Sequence, residues 1–69
     1  MGIGEVYKNA FNTYVCVLNL KPLELLKLSA DKEVKTFRIS SDDWEKKYYN
    51  YKQVEQKDMI IDLFGEIPF

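Results

Sequence analysis

At 69 residues, with 46% apolar and 14% aromatic content, the chain is too short for two cores and too apolar to remain disordered. Its charges nearly cancel to a formal net charge of −1, which excludes both the basic footprint of a general duplex-DNA binder and the surface of an acidic nucleic-acid mimic. One cysteine, Cys16, leaves no intramolecular disulfide, and no secretory leader or bilayer-length apolar run is visible, so a reducing, cytoplasmic setting is expected. Met1-Gly2 does not begin a myristoylation signal, because position 6 is Val6 where Ser or Thr is needed.

One domain over residues 1 to 69 is expected, with residues 1 to 5 and 65 to 69 as irregular tails. In residues 1 to 12 the pairs Val6/Ala10 and Tyr7/Phe11 are spaced for a short helix. The following run TYVCVLNL is rich in β-branched and aromatic residues and predicts a first strand. Tyr14, Cys16, Leu18 and Leu20 take one face, yet Val15 and Val17 make the other face apolar as well. A strand apolar on both sides needs two covers, and in so small a chain the second is expected from a partner or a second copy.

Lys21-Pro22 stops that strand. LELLKLSA consists of strong helix formers with no β-branched residue, so a helix over residues 22 to 30 is favoured, with a hairpin strand as the competing assignment. Residues 34 to 39 alternate Phe37 and Ile39 against Thr36 and Arg38, the pattern of a half-buried strand. Ser40 then stands at an N-cap position with Asp43 three residues on, and Ile39 and Trp44 are placed to close a hydrophobic staple. Asp42 and Asp43 suit the positive end of the helix dipole. Along the helix, Trp44, Tyr48 and Tyr51 recur on one face, which predicts three rings laid on a sheet.

That stripe would continue as Glu55, Asp58 and Asp62, so the helix should stop and KQVEQ and MIIDLF should pair as a terminal hairpin. A longer helix capped by Gly65 is the alternative. The expected fold class is therefore α+β, with about four strands in a mainly antiparallel sheet, ordered strand, helix, strand, helix, hairpin. Residues 53 to 69 carry Glu55, Asp58, Asp62 and Glu66 against Lys57 alone, an acidic end read as solvated surface.

The chain contains no histidine, and its three glycines, Gly2, Gly4 and Gly65, cannot form a phosphate-cradling loop. One cysteine without histidine cannot make a zinc site. No catalytic residue, metal site or cofactor is expected, and the chain reads as a non-enzyme. Asp42 and Asp43 are explained by helix capping without a metal, and Cys16 among valines reads as an inert thiol. The constellation with functional colour is KKYYNYK. With Tyr48 and Tyr51 assigned to the core, Lys46, Lys47, Tyr49 and Lys52 remain as the partner-binding candidates. A merely solvated helix face is the competing explanation of these four residues. A protein partner, host or self, is the first functional reading; a single-stranded nucleic acid gripped by the same lysines and ring is the second.

The run KTFRISSDDWEKKYYNY, followed by alternating residues, resembles the strand, D-x-W helix and closing hairpin of short accessory proteins encoded by bacterial viruses and other mobile elements. The resemblance covers about half the chain, leaves the first 30 residues outside it, and rests on structural residues. It implies a stoichiometric inhibitor or adaptor of host machinery, host defence systems included.

Overall fold

A computed structural model describes residues 1–31 and 33–65 of the chain. The elements in order are β1 (Val6–Lys8), β2 (Tyr14–Leu20), β3 (Leu23–Leu28), β4 (Val34–Arg38), α1 (Ser41–Lys47), β5 (Lys52–Val54) and α2 (Gln56–Phe64). The five strands form one sheet in the order β4-β3-β2-β1-β5, antiparallel throughout. The α+β class and the antiparallel sheet agree with the sequence pattern. Element order does not: four strands precede the first helix.

Each face of the sheet carries its own core. On one, Val15, Val17, Leu23 and Leu25 are buried among Tyr7 and Phe37 of the sheet, Ile39, and the Trp44, Tyr48 and Tyr51 rings brought by α1 and its exit. On the other, Val6, Tyr14 and Leu28 pack with Leu63 of α2, flanked by Cys16, Leu26, Val54 and Met59. Val15 and Val17 are 0% and 1% exposed, so the cover expected from a partner is supplied by this chain's own rings. The register shifts between Val17 and Asn19. Leu18 and Leu20 therefore leave the alternation and stay partly exposed.

Three local expectations are corrected. Residues 22 to 30 do not form a helix, because their leucines are split between both covered faces in β3: Leu23 and Leu25 toward α1, Leu26 and Leu28 toward α2. A central strand apolar on both sides loses its alternation and mimics helical composition. The spacing read as a helix in residues 1 to 12 is divided between β1, where Val6 and Tyr7 enter opposite cores, and the loop after it, where Ala10 and Phe11 are exposed. Residues 1 to 5 lie outside the helices and strands, and their end is tied to the sheet: the amide of Gly4 donates to the Val17 carbonyl at 2.8 Å and the amide of Val17 to the Glu5 carbonyl at 3.0 Å. The terminal hairpin is replaced by β5 and α2. Met59 and Leu63 satisfy alternation and helical spacing equally, and Ile61, which should have shared their face in a strand, is 50% exposed.

The stretch that leads from β4 into α1 behaves as its chemistry predicts at its start. Ser40 has extended backbone and its hydroxyl accepts from the Asp43 amide at 3.1 Å, and Ile39 and Trp44 join the same core. The helix ends at Lys47 rather than continuing to Tyr51, with Tyr48 as its C-cap. Tyr51 still reaches the core, returned by a turn whose Tyr51 amide donates to the Tyr48 carbonyl at 3.0 Å. Gly65, at φ +83, caps α2 with its amide on the Ile61 carbonyl, the role the longer-helix alternative gave it. Glu66, counted in the acidic end, lies outside the described residues.

A polar pin fastens α2 to the sheet. The Tyr14 hydroxyl donates to the Asp62 carboxylate, Lys8 Nζ stands 3.9 Å from the same carboxylate, and it lies 5.5 Å from the centre of the Tyr14 ring. Burial, then the hydrogen bond to Asp62 and the nearby carboxylate charges, push the Tyr14 phenol up from 10.0 to about 12. Burial also raises Tyr7, Tyr48 and Tyr51, and a hydrogen bond to Glu5 adds to the rise of Tyr7. The unfolded chain thus releases these protons first, so stability holds below pH 10 and falls as the pH rises from 10 toward 12. Chemical denaturation at stepped alkaline pH should record that fall, with a shallower slope in Tyr14→Phe; equal slopes would refute the pin.

Candidate functional site

The antiparallel order sorts charge by position along the strands. The ends of β1 and β3 and the starts of β4 and β5 lie together at one end of the sheet. Lys8, Lys27, Lys35 and Lys52 stand there, joined by Lys46 and Lys47 in the last turn of α1 as the chain approaches β5. Against these six lysines the same end holds Asp31, Glu33 and Asp62. At the opposite end Glu5, Glu24, Asp42, Asp43, Glu55 and Asp58 outnumber Lys21, Arg38 and Lys57. A net charge of −1 therefore conceals a basic end and an acidic end.

Two lysine pairs face each other directly across strands at the basic end, Lys8 with Lys52 and Lys27 with Lys35. Like charges so placed are unfavourable. Asp62 offsets Lys8 and Glu33 offsets Lys35, at 3.9 and 3.0 Å. Lys52 and Lys27 have no ion pair among the described residues.

The same end presents two rings to solvent. Tyr49, in the turn after α1, is 82% exposed, and Phe11, at the β1–β2 loop, is 80% exposed. Asn9 ties these two segments together. Its Oδ1 accepts from the amides of Phe11 and Thr13, both at 2.9 Å, and its Nδ2 donates to the Tyr51 hydroxyl at 3.2 Å. Asn12 turns the loop at φ 59, a left-handed conformation that asparagine tolerates. Ala10 and Asn50, the chain neighbours of Phe11 and Tyr49, line one depression of about 350 Å³ with Lys8, Asn9, Lys52 and Val54.

Of the residues singled out from the sequence, Lys46, Lys47, Tyr49 and Lys52 are all exposed and all lie at this end. Tyr49 is separated from the stacked rings as expected: Trp44 and Tyr48 stack at 4.9 Å, with Tyr7 edge-on to Trp44 at 5.3 Å. Phe11, Lys8 and Asn9 were not singled out. Only the loop signal at Asn9 and Asn12 around an isolated aromatic could have marked them. Cys16 is half-buried and burial raises its thiol, which disfavours the thiolate. Among the described residues no group of three or more cysteine or acidic side chains is placed to hold a metal ion, and no helix is long and apolar enough to cross a membrane. No protein-family model, curated protein or solved structure matches the chain.

Proposed function

We propose that this chain is a non-catalytic binding domain that acts by occupying another protein, with the basic end as its contact surface and Tyr49, Lys46, Lys47 and Lys52 as the first contacts. One observation carries the reading: Tyr49 is 82% exposed amid lysines while Trp44, Tyr48 and Tyr51 are spent on the core. Tyrosine is an economical interface anchor, since it brings a large rigid ring and a hydroxyl at little conformational cost. The lysines select an acidic patch on the partner. The resemblance carried by residues 35 to 51 supports an inhibitor or adaptor of host machinery encoded by a virus or mobile element. The closing hairpin of that likeness is replaced by β5 and α2.

The test is affinity capture from a bacterial host lysate with wild type and a Tyr49→Ala, Lys47→Ala double variant. A protein retained in near-equal molar amount by wild type, and reduced at least tenfold by the variant, is the expected result. Both substitutions are on exposed side chains, so the fold should persist. Retention of the same protein by both forms, or of none by either, removes the proposal.

A further inference from the structure

We infer that the basic end also holds single-stranded nucleic acid, with the exposed rings of Phe11 and Tyr49 stacking on bases beside the depression that their chain neighbours Ala10 and Asn50 line together with Lys8 and Lys52. Sequence-tolerant strand binders combine a positive groove along the phosphates with rings on which unpaired bases stack. Both parts are here. Phe11 and Tyr49 are the two most exposed large apolar or aromatic side chains among the described residues. Neither contributes to either core, so their exposure has no structural use. Two hydrogen bonds to Asn9 order the Phe11 loop and a third joins it to the Tyr51 hydroxyl, which reduces the ordering a bound strand must impose. Lys52 has no ion pair among the described residues, and Lys46 and Lys47 in the last turn of α1 add positive charge at the same end of the sheet. The Asp62 carboxylate beside Lys8 weakens that lysine as a phosphate contact and shifts the main electrostatic role to Lys52. Val54 and Ala10 give the depression an apolar floor. Paired bases cannot reach the rings, which sets single strands apart from duplex.

This inference does not rest on the protein-partner reading. The experiment is fluorescence anisotropy with labelled oligo-dT of about 12 nucleotides, within the range that small single-strand domains cover. Saturable binding is expected. With three lysines at phosphates, a fourfold rise in salt should weaken it on the order of twentyfold. Phe11→Ala and Tyr49→Ala should each weaken it about tenfold or more, and Lys52→Ala should lower the salt dependence. Lys57→Ala, at the other end of the sheet, should change nothing. A duplex of matched length should bind more weakly than the single strand. Flat titration curves overturn the inference, as does binding that survives the loss of both rings, or equal affinity for duplex. So does binding of poly-L-glutamate where oligo-dT fails, the result an acidic protein ligand would give. Circular dichroism of each variant confirms that the fold is retained.

Discussion

Trp44→Ala should remove a large part of the chain's stability. The indole is the centre of a ring cluster, 5.3 Å from Tyr7, 4.9 Å from Tyr48 and 6.4 Å from Tyr51 by ring centroids, and it presses α1 onto Val15, Val17 and Leu25. Truncating a fully buried tryptophan costs about 3–5 kcal/mol, and Trp44, which is half-buried, should lose an amount at the low end of that range. A chain of this length has a total stability of only about 3–10 kcal/mol at the usual value per residue. Urea denaturation followed by circular dichroism measures the loss. Trp44→Phe, which keeps a ring in the stack, should recover much of it. An unchanged midpoint in the alanine variant would show that α1 is not held by this cluster.

Leu25→Ala should cost about 2–5 kcal/mol. Its side chain is 0% exposed, and in the sheet it lies between Val17 of β2 and Phe37 of β4, so the cavity it leaves cannot collapse without breaking a ladder. Val34→Ala, on the edge strand and 56% exposed, should change stability by no more than about 0.5 kcal/mol. The contrast also tests the assignment of residues 23 to 28 as strand. In a surface helix the two substitutions would differ far less. Thermal melts of both variants decide it.

What the residues disclosed depended on whether a local signal matched the tertiary environment. Ser40 with Asp43, and Ile39 with Trp44, form a motif closed within six residues, and it appears in the fold with its expected hydrogen bond. Tyr14 to Leu20 was legible because β-branched and aromatic residues concentrate there. Residues 23 to 28 were not, since leucine and lysine favour helix intrinsically and only burial between two layers makes them a strand. Met59 and Leu63 fit both periods, and three residues of β5 are too few to declare themselves. At the candidate site Tyr49 followed from subtraction, once its neighbours were assigned to the core. Phe11 and Lys8 did not, because their proximity to the β5 turn depends on the β1–β5 pairing across more than forty residues.

The sorting of lysines and carboxylates to opposite ends has an effect that overall titration would miss. Seven residues of β2 separate the ends by about 23 Å at strand rise, nearly three times the Debye length of about 8 Å at physiological salt. A ligand approaching either end therefore feels that end alone. At physiological salt the molecule thus presents two separate, oppositely charged ends, and the separation is lost near 0.01 M salt, where the Debye length grows to about 30 Å.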